Sequence, residues 1–124
     1  PNVFLIEPLD YLDFVNIMAK SDLLITDSGG VQEEGPSLGK PILVLRTVTE
    51  RPEAVKYGTV KLVGLDRKKI VSAATKLLTN KNEYRKMAAA TNPYGDGHAS
   101  EKTVQAIKLY FGLSKKKFSP FLPR

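Results

Sequence analysis

Residues 26–41 read "TDSGGVQEEGPSLGKP", a glycine pair closing an apolar run with two glutamates just behind it. Glycines at a strand-to-helix turn let a backbone come close to a ligand, and the start of a helix presents N–H groups to an anion. Ser28, Gly29 and Gly30 are therefore candidates to hold a phosphate, with the helix dipole contributing on the order of 1 kcal/mol. A tight turn that needs glycine only for its backbone geometry fits the same three residues equally well. Glu33 and Glu34 are expected in the first turn of the following helix, where a carboxylate satisfies the positive helix end and competes with phosphate. Alternatively, one of them points sideways and accepts hydroxyls from a sugar attached to that phosphate. A diphosphate on the amides and a ribose against a carboxylate fit a single nucleotide.

Two arginines lie in the right region of the chain to assist. Arg46 and Arg51 sit near the end of the third strand and the start of the next helical turn, and either fork can pair with phosphate. A surface pair with Glu50 or Glu53 is the plainer use of Arg51. His98, the one histidine, opens a helix after "PYGDG", a position more often at the surface than catalytic. No His-and-carboxylate set stands at metal-ligand spacing and no G-x-S-x-G elbow is present, so neither a metal nor a cofactor is implied.

The elements that must position these groups alternate. "NVFLIEP" reads as a strand stopped by Pro8, and "DYLDFVNIMAKS" as a helix capped by Asp10. "DLLITDSGG" reads as a second strand, "VQEEGPSLG" as a short helix, and "PILVLR" as a third strand, aliphatic throughout as a parallel strand covered on both faces tends to be. "ERPEAVKYG" makes a helical turn stopped by Gly58, and "TVKLVG" a fourth strand. "DRKKIVSAATKLLTN" is an amphipathic helix capped by Asp66, continued by "KNEYRKMAAAT" up to the turn "NPYGDG". "HASEKTVQAIKLYFG" is the last helix, before a basic tail. Four strand–helix alternations predict a parallel, Rossmann-like α/β sheet of about four strands flanked by helices. Ligands bind beyond the carboxyl ends of such strands, which brings "EPLD", "TDSGG" and "RTVTERPE" to one edge.

Composition narrows the partners. The chain of 124 residues suits one domain, with 42% hydrophobic and 26% charged residues. It has no cysteine, which excludes disulfides and thiolate-bound metal. No apolar run can span a bilayer and no signal-peptide pattern opens the sequence, so no membrane partner and a cytoplasmic location are expected. The net charge of +6 suits an anionic partner. Its lysines are scattered rather than gathered in a stripe, and aromatics are not interleaved with them, so no nucleic acid is expected. The opening "PNVFLIEP", with no initiator Met and little lead-in, has the look of a cut.

Three long stretches, "TDSGGVQEEGPSLGKP", "LRTVTERPEAVKYGTVKLVG" and "NPYGDGHASEK", together closely resemble the non-hydrolysing UDP-N-acetylglucosamine 2-epimerases. The resemblance runs from "NVFLIEPLDYLDF" through the last helix. It implies a portion of the C-terminal domain of a two-domain GT-B fold, with residues 1–112 as the nucleotide-binding portion and 113–124 as a basic tail. It also implies that Ser28, Gly29 and Gly30 bind the diphosphate of a UDP-sugar, that Glu34 takes the ribose hydroxyls, that Arg51 lies on the diphosphate side, and that Phe14 stands beside the uracil. Thr47 and Val48 replace the Asp-Thr that the family often has, and His98 stands where a lysine is expected. The family's acid and base residues lie mostly in an N-terminal domain, so no catalytic residue is expected in this chain, and the chain alone should be inactive. The parent activity implied is interconversion of UDP-GlcNAc and UDP-ManNAc by elimination and re-addition of UDP. The alternatives are the donor domain of a GT-B glycosyltransferase, which the "GGVQEEGPSLGKP" and "TERPEAV" wording disfavours, and a non-catalytic α/β binding module.

The strand order 3-2-1-4-5-6 that the resemblance implies makes the four strands numbers 3 to 6, without the two that normally lie between 3 and 4. Direct pairing of "VFLIE" with "LLIT" through a right-handed crossover is therefore expected, with a homodimer covering the remaining open edges.

Overall fold

A computed structural model describes residues 2–117, 119 and 121 of the chain. Six helices and three strands follow in the order α1 (Tyr11–Lys20), β1 (Leu24–Thr26), α2 (Gly29–Glu34), β2 (Ile42–Val44), α3 (Pro52–Tyr57), β3 (Val60–Leu62), α4 (Arg67–Thr79), α5 (Lys81–Ala88) and α6 (Ala99–Tyr110). A single 3-10 turn, Gly35–Leu38, continues α2. The expected basic tail lies partly outside the described residues.

The strands form one parallel sheet in the order β1-β2-β3. Leu24 pairs in register with Ile42, which pairs with Val60, and Thr26 pairs with Val44, which pairs with Leu62. All three residues of β2 are fully buried, which explains why "PILVLR" carries no polar alternation: each face of a central parallel strand is covered. Because side chains alternate along a strand, Ile42 and Val44 pack on one face with Ala54 and Val60, while Leu43 packs on the other with Val63, Ala73 and Leu77. The first face is closed by α3, the second by α4.

The helix boundaries follow local chemistry. The Asp66 carboxylate accepts from the Lys69 amide at 2.9 Å and starts α4. Asn80 ends α4 and starts α5 at once, its carbonyl oxygen accepting from the amides of Asn82 and Glu83, so the long helical stretch breaks in two there. Gly58 stops α3 at φ 77, in the left-handed region that glycine adopts without strain. Asp10 precedes α1 as expected, although its side chain makes no capping bond. None of the helices among the described residues is long and apolar enough to cross a membrane.

Two expectations are corrected. The sheet has three strands, not four, and "VFLIE" does not pair with "LLIT": residues 2–10 form no regular element, and Val3 through Ile6 stand 63% to 99% exposed. The physical reason is that a strand persists only where a neighbour supplies its hydrogen bonds, and residues 2–10 make none to β1. The edge of β1 away from β2 is consequently open among the described residues, and Ile25 is 46% exposed.

Gly35 shows how closely the 3-10 turn sits on the sheet. A Cβ at this position would lie 2.6 Å from Ile42 Cδ1 and 2.9 Å from Leu24 Cδ1, inside van der Waals contact and against a side chain with no free volume around it. Gly35→Ala is expected to destabilise the protein by about 1–3 kcal/mol, read as a lower urea midpoint with unchanged slope. A midpoint equal to that of the wild type would show that the turn can lift off the sheet at no cost.

Candidate functional site

Parallel strands end together, so the segments following β1 and β2 meet at one edge of the sheet. Ser28 is the N-cap of α2: its hydroxyl accepts from the Val31 amide at 3.5 Å, and its own amide donates to Thr26 Oγ1 at 3.0 Å. Gly29 and Gly30 are thus the first two residues of the helix, and their amides have no intrahelical acceptor. This start corrects the expected place of the glutamates. Glu33 and Glu34 are not in the first turn but at the far end of α2, because the cap falls on Ser28 and the glycines themselves make the first turn. No carboxylate therefore belongs to the first turn of α2.

The two glutamates take different partners. Glu33 forms an ion pair with Arg51 Nε, whereas Glu34 forms none among the described residues. Glu34 Oε1 lies 3.9 Å from the place of a Cβ on Gly30, and Arg51 Nη2 lies 3.9 Å from that of a Cβ on Gly29. A guanidinium therefore lies close to Gly29 and an unpaired carboxylate close to Gly30. The Glu33 hydrogen bond raises the Arg51 pKa further above its already high ordinary value, so this cation is permanent. The plainer expectation of an Arg51 pair with Glu50 or Glu53 gives way to Glu33, which is nearer because α2 turns it toward the loop after β2. Arg46 instead holds Glu50, at 3.0 and 3.2 Å. Glu50 Oε1 also lies 3.7 Å from the place of a Cβ on Gly29, and its carboxyl is held below the usual range first by a backbone hydrogen bond and then by Arg46.

Sequence reasoning missed the group that joins these elements. Gln32 is fully buried. Its Nε2 donates to the Ser28 carbonyl at 3.1 Å, its Oε1 accepts from the Thr49 hydroxyl at 2.7 Å, and Thr49 Oγ1 accepts from the Arg51 amide at 3.0 Å. The available signal was a polar residue four positions after Ser28, on the face that the helix must bury. Tyr94 of the "NPYGDG" turn was missed as well. It packs on the Ile42–Val44 face near Ala54, and burial raises its phenol pKa, with Glu53, Arg51 and Glu33 all close enough to act on it. Its hydroxyl is shut off from solvent beside the Ala54 backbone without a hydrogen bond of ordinary geometry.

The helix that follows "EPLD" lies against the end of α2 and the 3-10 turn: Tyr11, Val15 and Met18 of α1 line a cleft with Glu34, Ser37 and Leu38. Phe14, three residues after Tyr11, flanks that face of α1 and is 39% exposed. Ser28, Gly29, Gly30, Glu34 and Arg51 are thus brought together, whereas no hydrogen bond, ion pair or ring contact joins Phe14 to them among the described residues. His98 lies apart and exposed, its ring facing Glu101 at 3.2 Å.

A parallel α/β layer with helix-start amides, a guanidinium and an unpaired carboxylate gathered at its carboxyl edge is the doubly wound class of architecture, in which ligands bind beyond the strand ends. A family model described as UDP-N-acetylglucosamine 2-epimerase matches residues 1–108, and the chain belongs to that family. It is 55% identical over 119 residues to the UDP-N-acetylglucosamine 2-epimerase of Bacillus subtilis, a match covering 96% of this chain and 31% of that protein. The S. aureus MnaA–UDP co-structure superposes with a TM-score of 0.87 at 52% identity, over 94% of this chain and 32% of that one. UDP-GlcNAc 2-epimerase from Neisseria meningitidis bound to UDP-GlcNAc superposes with a TM-score of 0.83 at 55% identity, over 86% of this chain and 29% of that one. The chain thus spans about a third of the length of such relatives, and the α/β fold expected from its motifs is the one it has.

The "NPYGDG" turn that carries Tyr94 is itself held by charge. Asp96 accepts from Lys102 Nζ at 2.6 Å and from the His98 amide at 3.1 Å, and these contacts, the lysine first, keep its carboxyl below the ordinary range. A folded-state pKa below the unfolded one means that the stabilisation is complete above the unfolded pKa. It is lost as pH falls through the lower folded value. The stability difference between wild type and Asp96→Asn should therefore shrink between neutral pH and about pH 3 in paired urea titrations. A difference that stays constant over that range would remove charge as the force holding this turn.

Proposed function

We propose that this chain is the UDP-binding portion of an enzyme that interconverts UDP-GlcNAc and UDP-ManNAc. The observation that carries the reading is that Arg51 Nη2 stands 3.9 Å from the place of a Cβ on Gly29 and Glu34 Oε1 3.9 Å from that on Gly30. A nucleoside diphosphate joins an anionic group directly to a hydroxyl-bearing sugar, and the two glycines are flanked by a partner for each. The diphosphate would lie on the amides of Gly29 and Gly30 at the Ser28 cap, beside Arg51, and the ribose hydroxyls would donate to Glu34. Phe14 would meet the uracil from α1. The relatives solved with UDP and with UDP-GlcNAc support the choice of nucleotide.

In the same proposal, residues 1–112 form the nucleotide-binding portion and 113–124 a tail, and the groups that move the C2 proton belong to an N-terminal domain. The exposed apolar side chains of residues 3–6 and the open edge of β1 support a further covering layer, supplied by that domain with a second copy in a homodimer. A cytoplasmic location belongs to the same reading.

The test is direct. With no acceptor present, the intact protein should convert UDP-GlcNAc to UDP-ManNAc, whereas the 124 residues alone should not. Arg51→Ala should weaken UDP binding by about 10- to 100-fold in calorimetry, the loss of one charge-assisted hydrogen bond. Gly29→Ala, whose added methyl meets nothing closer than 3.7 Å, should fold normally yet obstruct the approach of the diphosphate. Undiminished UDP affinity in both variants would refute the site, and sugar transfer to an acceptor without epimerisation would refute the reaction.

A further inference from the structure

We propose that Gln32 is a positioning residue that sets the Gly29 amide and Arg51 relative to one another, through Thr49. The inference rests on the diphosphate reading above and adds to it the group on which the spacing of the two anion-facing elements depends.

The geometry makes the case in two steps. In a trans peptide the carbonyl and the following N–H point in opposite directions. Gln32 Nε2 donates to the Ser28 carbonyl at 3.1 Å, beside the longer helical bond from the Gln32 amide at 3.4 Å, so the side chain gives a second hold on the peptide plane whose other face carries the Gly29 N–H. The other end of that side chain works on the neighbouring loop. Thr49 Oγ1 accepts from the Arg51 amide at 3.0 Å, and its single proton then goes to Gln32 Oε1 at 2.7 Å. That leaves one orientation of the amide that satisfies every partner, since a flipped amide would set two oxygens against each other at Ser28. The relay therefore runs Arg51 N–H, Thr49 hydroxyl, Gln32 amide, Ser28 carbonyl, and every link is a named bond.

Its position gives it leverage. Gln32 has no exposed surface, so water cannot replace a lost partner, and an unsatisfied end would be left buried. Arg51 is the N-cap residue of α3, at φ −120 and ψ 59 and without a side-chain cap of its own. Its backbone is held instead by Thr49, and its side chain by Glu33. Both anchors of Arg51 thus lead back to adjacent residues of α2. A ligand that drew the guanidinium toward Gly29 would loosen the Glu33 contact, while the Thr49–Gln32 link would keep the backbone in register.

The experiment uses the intact protein with Thr49→Val, which keeps the shape and removes the hydroxyl, and Thr49→Ser, which keeps the hydroxyl. Without ligand, hydrogen exchange of the Arg51 amide should accelerate in the valine variant and return toward the wild-type rate in the serine variant. With UDP, Thr49→Val should weaken binding by about tenfold, and Thr49→Ser should recover most of that. In the Arg51→Ala background, Thr49→Val should cost almost nothing further, because the residue acts through Arg51. A merely structural threonine would weaken binding equally in both backgrounds, and that result overturns the proposal, as does unchanged Arg51 exchange in Thr49→Val. If Arg51→Ala itself left UDP affinity intact, the diphosphate reading would fall, and this inference with it. Should Thr49→Val fail to fold, Gln32→Met takes its place, since it keeps the backbone bond to the Ser28 carbonyl and removes the link to Thr49, with the same exchange readout at Arg51 and the same comparison in the Arg51→Ala background.

Discussion

Burial of β2 on both faces is the constraint from which the rest of the molecule is arranged. Ile42 and Val44 need one apolar layer and Leu43 needs another, so α3 and α4 must lie on opposite sides of the sheet. Parallel pairing follows, since each strand must leave the sheet, pass over a face and return in the same sense. That topology makes β1 and β2 end at the same edge, and the segments after them, 27–30 and 45–51, become neighbours although they are far apart in sequence. An aliphatic strand three residues long therefore places a glycine turn against an arginine loop.

At that edge the balance of charge is set by pairing rather than by count. Three carboxylates, Glu33, Glu34 and Glu50, crowd near the Ser28–Gly30 turn, a composition that looks hostile to phosphate. Arg51 neutralises Glu33 and Arg46 neutralises Glu50, which leaves Glu34 as the free acceptor. These pairs are partly exposed and contribute little to stability. Their effect is on which groups stay available, because with Glu33 and Glu50 engaged the carboxylate near Gly30 is the one left unpaired.

The apolar surface left over is informative in the same way. Residues 3–6 and the outer edge of β1 expose side chains that a sheet would normally cover. The last helix does likewise: Tyr110 and Phe111 stack edge to face at 5.1 Å yet remain 84% and 67% exposed. Beyond α6 the chain turns back, with Gln105 Nε2 donating to Ser114 Oγ at 2.9 Å and to the Lys116 carbonyl at 2.7 Å. The well-packed region of the chain is the three-stranded layer with its flanking helices, and its two ends carry the unsatisfied surfaces. This agrees with a chain that spans about a third of the length of its relatives.

Local signals in the sequence by themselves determined most element types, the stop at Gly58, the cap at Asp66 and the aliphatic centre of the sheet, because each depends on residues within a turn or two of one another, whereas the break at Asn80 was read as continuous helix. The motif wording determined the family. Tertiary structure alone decided three things. It decided that "VFLIE" stands off the sheet, since a strand exists only where a neighbour supplies its hydrogen bonds, and no local pattern reports that neighbour. It decided that Glu33 rather than Glu50 or Glu53 takes Arg51, since the partner lies eighteen residues away in sequence and is brought close only when β1 and β2 pair. It decided that Gln32 is buried and bonded at both ends, since a glutamine in "GGVQEE" reads as surface until Thr49 arrives from the next crossover to meet it.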